Sequence, residues 1–346
     1  MRKLLLLFLI IILAVGPVSA AEFTAPVAPD NAEEYMPRES MSFWEDLLYI
    51  LKAALIQHRP DLAEAVGCSL SLIVIVILVS VLRNFSGAPK QVVDLAGTVC
   101  TGIMLLSPAN ALVALAVNTI TELCEYGKLL MPVLTGALAA QGGATGATAL
   151  YAGTVVFNTI LTAAISKLLI PMIYIYIALC VACSAIGEQT LTNIRSFVKW
   201  LMTWTLKIIL YVFTGYMAIT KVVSGTTDAA AMKATKLAIN GMVPVVGNII
   251  SDASEAILVS AGLMKNAAGI YGMLAIIAIW IGPFIQIGVQ YILLKITAAV
   301  CAVFGSGGSI NLIKNFTAVM GLLLAMTGTA CLLFLISTVC FMKGIA

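Results

Sequence analysis

Few side chains in this sequence have the type and spacing that chemistry needs. The single histidine, His58, stands beside Pro60 at the end of an amphipathic stretch. One imidazole cannot build a histidine-based metal cluster, and no group of acids surrounds it; it reads as a polar helix terminus. Of eight cysteines, Cys180 and Cys183 have C-x-x-C spacing but lie among Ile, Ala and Val. A redox pair wants an accessible thiolate in electropositive surroundings, so these two read as small packing residues. The phosphate-binding G-x-x-x-x-G-K-[ST], the zinc-binding H-E-x-x-H and the G-x-S-x-G nucleophile turn are all missing. The residues encode no catalytic centre, no cofactor site and no metal site, and the reading is a protein that is not an enzyme.

Polar residues inside apolar segments are the sharper leads. Lys207 sits near the middle of the run Trp200–Val212, where an insertion cost of about 2.5–3.5 kcal/mol is expected for a charge. It should face a bundle interior, a water-filled cavity or a partner, with Asp94 on a neighbouring span as one counter-ion. Lys167, Lys295, Gln286, Gln290 and Asn158 fit the same interior. The alternative is that the lysines snorkel to an interface while the amides bond across helices. A second group surrounds two Pro-Val pairs, Pro132-Val133 and Pro244-Val245. Gly241 and Gly247 flank the latter and permit a sharp reversal, and Asp252 and Glu255 follow it. These residues either line and gate an outer vestibule, or merely cap a helical bundle.

The elements that position them follow from composition. Of 346 residues, 61% are hydrophobic and 10% charged, against about 25% charged in soluble domains. A soluble enzyme, a disordered chain, a collagen and a nucleic-acid-binding protein are excluded. The fold class is all-α, a polytopic bundle of membrane-spanning helices solvated by membrane lipid. Charge is asymmetric: between Glu22 and Glu64 nine acids face three bases, and from residue 65 onward 14 bases face seven acids. That pattern fits membrane orientation rather than a nucleic-acid partner.

Along the chain, Arg2 and Lys3 precede a short apolar run and the small residues Val18–Ala21, the layout of a cleavable signal peptide over 1–21. Residues 22–60 form an extracytoplasmic linker and an amphipathic helix that starts at a Ser42-x-x-Glu45 capping box. That helix lies on the membrane surface or packs on its own bundle, and Pro60 ends it. Residues 61–346 hold about six spans. Leu62–Leu82 is the first, and 147–186 is either one long tilted span or a hairpin. The basic loops at Arg83–Lys90, Arg195–Lys199 and Lys314 are separated by even numbers of crossings and share the cytoplasmic side, with 22–60 and 224–266 opposite. Pro132 and Pro244 are 112 residues apart, as are Pro171 and Pro283. This spacing suggests a parallel duplication with units 92–186 and 198–303, each with an outer Pro-Val turn.

The stretch Lys233–Gly272 carries a resemblance. Its G-M-V-P-V-V-G run at Gly241–Gly247, S-D-A-S-E-A at Ser251–Ala256 and L-M-K-N-A-A-G at Leu263–Gly269 closely resemble the stage III sporulation protein AE family. The likeness extends over most of the chain beyond residue 60. It implies a role rather than an activity: a multi-span component of a secretion-like or feeding channel between mother cell and forespore, in the mother-cell membrane around the forespore. The implied partners are other membrane proteins of the same complex, including a secretion-type ATPase, ring-forming proteins and stage II sporulation protein Q from the forespore. An energy source held by a partner explains the missing nucleotide motif. The competing reading is a self-sufficient small-solute permease, drawn from the repeat, the prolines and Lys207.

Overall fold

A computed structural model describes residues 24–37, 42–85, 89–141, 144–186, 189–242, 247–304 and 307–343, without the side chains of 221–262 and a few flanking positions. The signal segment 1–21 and Pro244 fall outside the described residues. All regular structure among the described residues is helical. A single turn, α1 (Asp30–Glu33), precedes α2 (Phe43–Gln57), α3 (Arg59–Phe85), α4 (Lys90–Ala140) and α5 (Ala144–Ala164). A π-helical turn (Ile165–Leu169) leads into α6 (Ile170–Ile186), followed by α7 (Gln189–Met242), α8 (Gly247–Phe304) and α9 (Gly307–Met342). Among the described residues, six stretches are long and apolar enough to cross a membrane: Arg59–Phe85, Lys90–Ala140, Ala144–Ala185, Thr190–Thr220, Asn266–Phe304 and Gly307–Met342. Helices α4, α7 and α8 have 51, 54 and 58 residues. At 1.5 Å per residue they are about 77–87 Å long, against about 30 Å of hydrocarbon, so a large part of each lies outside the lipid core.

The prolines act differently from one another. Pro60 falls in the first turn of α3, where an N–H has no helical partner anyway. Pro171 removes a donor and presses its ring on the carbonyl four residues back, that of Lys167. The chain answers by widening: the N–H of Ile170 bonds Ile165 O, five residues back, and the π turn carries the helix past the obstruction. Residues 144–185 are thus one continuous rod, which decides against a hairpin. Pro132 lies inside the unbroken helix α4, as does Pro108. The outer Pro-Val turn expected at Pro132 is therefore corrected: a single proline in a long, packed helix costs one hydrogen bond and does not reverse the chain. The matched proline spacing thus does not correspond to matched turns.

Helix α9 is the centre of the bundle, packed mainly on α8 and α4, with α3, α5, α6 and α7 around them. Phe316, Phe334 and Phe341 are fully buried along it. Small residues admit the close approaches: a Cβ at Gly272 would stand 2.6 Å from Leu130 Cδ2, and one at Gly127 would collide with the Phe334 ring. One end of the bundle is basic. There Arg83 Nε lies 3.6 Å from Asp94 Oδ2, and Ser80 Oγ donates to Phe304 O at 2.6 Å. Arg195 Nη1 donates to Asn315 Oδ1 at 2.7 Å. At the other end Tyr126 Oη donates to Pro26 O at 3.2 Å, and Ala28 N donates to Tyr271 Oη at 3.4 Å. Arg83, Lys90, Arg195 and Lys314 thus share one end, and the N-terminal segment covers the opposite one.

Candidate functional site

The capped end is assembled from the N-terminal segment, α2 and the outer part of α8. Ser42 caps α2: its Oγ accepts from Glu45 N at 3.4 Å and donates to Glu45 Oε2 at 2.8 Å. Asp46, Ile50 and Ala54, four residues apart, are the buried stripe of the helix; it packs on α8. Trp44, Leu48, Leu51 and Leu55 form a second, exposed apolar stripe. The helix therefore packs on its own bundle and still presents an apolar face outward. It ends at His58, whose backbone N–H bonds Ala54 O, before Arg59 and Pro60 open α3.

The lone imidazole is the hub of this end. Its Nδ1 lies 2.8 Å from Asp61 Oδ2 and its Nε2 lies 3.0 Å from Tyr35 Oη. A carboxylate only accepts, so Nδ1 carries the hydrogen and Nε2 accepts from the Tyr35 hydroxyl. Gln286 Nε2 lies 2.7 Å from the same Nδ1, so Asp61 and this amide crowd the one in-plane position of that nitrogen. Burial, and then the carboxylates of Glu34 and Asp61, push the Tyr35 phenol above its ordinary pKa, which keeps it a donor. Gln57 Nε2 donates to Glu34 Oε2 at 2.7 Å. Gly282 makes the approach possible, since a Cβ there would meet His58 Nε2 at 2.7 Å. One side chain thus ties together the N-terminal segment, the α2–α3 elbow and α8.

Two cavities flank the hub. The larger, about 620 Å³ and mainly apolar, lies between Thr24, Ala25, Met36, Asp46, Tyr271 and Leu274. The smaller, about 170 Å³, is lined by Asp61, Glu64, Cys68, Pro108, Gln286 and Gln290. Two carboxylates beside two amides make the smaller one acidic and hydrogen-bonding, suited to water or a polar group rather than to covalent chemistry. Among the described residues no three His, Cys, Asp or Glu side chains group as metal ligands.

Of the residues singled out from the sequence, Lys207, Asp94, Lys167, Lys295, Asn158 and Pro132 have described side chains and do not form one cluster. Lys207 is exposed on the outer face of α7, so any role it has is towards lipid or a partner. Asp94 is not its counter-ion: the carboxylate sits in the first turns of α4, beside Arg83. Lys167 and Lys295 are exposed, and Lys295 Nζ lies 5.7 Å above the Tyr291 ring. Asn158 is buried and its Oδ1 has no partner. Pro132 is exposed on α4. Gly241 closes α7 and Gly247, Asp252 and Glu255 open α8, with side chains outside the described residues. The partners of His58 were missed. Gly282 and Gln286 share a face of α8 at a spacing of four, but only the folded chain brings them to a histidine 228 positions away.

Together, the spans and the polar cap define a multi-pass helical membrane protein with one basic end and one capped end. The chain belongs to the stage III sporulation protein AE family, whose model matches residues 39–344. It is similar to stage III sporulation protein AE of Bacillus subtilis (strain 168), with 22% identity over 205 residues. That match covers 59% of this chain and 51% of the relative, so the chain spans about half the length of the curated relative it matches. No solved structure matches it.

Proposed function

We propose that this protein is a non-enzymatic, membrane-embedded component of a sporulation secretion-like or feeding channel linking mother cell and forespore, and that forespore development needs it. Its place is the mother-cell membrane around the forespore. Its partners are a secretion-type ATPase, ring-forming proteins and stage II sporulation protein Q on the forespore side. Family membership supports the sporulation role. The observation that carries the assembly role is the length of α4, α7 and α8, far beyond what a membrane requires. Helix outside the lipid has to be solvated or covered, and a partner assembly covers it. Lys207, Pro132, Pro244, Gly241, Gly247, Asp252 and Glu255 are the residues proposed to contribute to its conduit or gate, with Lys207 acting at a contact between chains.

The test is purification of the tagged, full-length chain from sporulating cells. The channel reading expects stable co-purification with an ATPase and ring-forming membrane proteins. A chain that purifies alone and, reconstituted alone, moves a defined small solute is the permease instead.

A further inference from the structure

The basic end of the bundle holds a cleft that the channel reading does not use. Helices α7, α8 and α9 enclose about 350 Å³ there, within the size range of ligand sites. Lys199 and Thr203 of α7, Tyr291 of α8, and Lys314 and Thr317 of α9 line it. No carboxylate lines it, and among the described residues neither lysine has an ion-pair partner. The neighbouring cation is engaged elsewhere, since Arg195 donates to Asn315. Two ammonium groups with nothing opposite them leave a site short of negative charge.

The shape of the cleft names its occupant. From Lys314 the lining continues along one face of α9 through Ala318, Gly321, Leu322 and Ala325, a strip with no polar side chain. Gly321 leaves the Tyr291 ring open, with Cε2 at 3.5 Å from where a Cβ would stand. A cationic mouth leading into an apolar groove matches a phosphate head group followed by an acyl chain. The level is also marked. Phe197, Trp200 and Trp204 run along α7 with ring centroids 5.9 Å apart at each step and are 59%, 52% and 48% exposed. Exposed aromatic rings of this kind sit at the head-group layer, beside basic pockets that take anionic lipid.

We infer that this cleft binds one anionic phospholipid, its phosphate between Lys199 and Lys314 and one acyl chain along Ala318–Ala325. Lys207 follows Lys199 and Thr203 at the same spacing of four, about 12 Å further along α7.

The experiment places the full-length protein in nanodiscs of phosphatidylcholine containing a small fraction of phosphatidylglycerol with brominated acyl chains, and reads quenching of tryptophan fluorescence. Brominated phosphatidylcholine is the reference. Trp200 and Trp204 directly follow the lining residues Lys199 and Thr203 on α7, so bound phosphatidylglycerol quenches at least about five-fold more effectively per lipid than the reference. Lys199→Ala with Lys314→Ala removes that preference, and Lys199→Arg with Lys314→Arg keeps it. Gly321→Leu fills the groove and also removes it. Equal quenching by the two lipids, or a preference that survives the double alanine change, overturns the site. Displacement by millimolar inorganic phosphate, with Gly321→Leu harmless, makes it a free-anion site and overturns the lipid assignment. The melting temperature of each variant in phosphatidylcholine alone must match the unaltered protein. Where the double alanine chain melts early, Gly321→Leu and the arginine pair decide the outcome.

Discussion

His58 shows how one side chain decides the state of a whole end of the molecule. Loss of its three ring contacts frees Tyr35, Asp61 and Gln286 together, at a cost of about 1–3 kcal/mol for the buried Tyr35 hydroxyl. His58→Ala is therefore expected to make residues 24–42 cleavable by an added protease while the spans stay folded. Gly282→Ala does the same by pushing the ring aside, and uncleaved chains in both cases would refute the latch. The pH dependence has a definite sign. The Tyr35 pKa is raised in the folded chain, so its contribution is complete below the ordinary value of about 10 and is lost as pH rises beyond it. Protease resistance of the segment is expected to hold from pH 7 to 9 and fall above 10, and Tyr35→Phe abolishes the fall. From sequence, His58 was legible as a helix terminus, which it is. Its partners at positions 35 and 286 were not, because no local pattern records a contact made by folding. Asp94 was matched to the wrong cation for the same reason.

At the scale of elements, α2 is the sharpest case. Its capping box and its apolar periodicity were readable, but periodicity alone could not say which of two apolar faces meets the bundle. The fold turns the Asp46–Ile50–Ala54 face to α8 and leaves Trp44, Leu48, Leu51 and Leu55 outside. Ile50→Ala is expected to cost about 2–4 kcal/mol by opening a cavity. Leu48→Ala is expected to stay within about 0.5 kcal/mol, and denaturation of the purified protein followed at the Trp44 fluorescence distinguishes the two. Equal costs would mean that the outward face is covered. Pro132 shows the converse. A proline signals a turn only where the helix has no packing to hold it, and α4 is held on both sides of that residue by α9 and α8.

For the whole molecule, the hydrophobic content and charge spacing were enough to read an all-α membrane chain of about six spans, and six helices among the described residues are long and apolar enough to cross. The choice of α9 as the central helix was not readable from apolarity, since the most apolar of the six spans is α3 and not α9. What separates them is which small residues meet which large ones, as at Gly127 with Phe334 and Gly272 with Leu130. The orientation we propose puts the basic end in the cytoplasm and the His58-latched segment on the other side of the membrane. Single cysteines at Asn84, at the basic end, and at Val27, in the N-terminal segment, test it in a chain whose eight native cysteines are replaced. Both positions are exposed. In sealed membranes of known orientation a membrane-impermeant maleimide is expected to label Val27→Cys from the non-cytoplasmic side, and Asn84→Cys only after the membrane is opened. Labelling of both from the same side would contradict this arrangement.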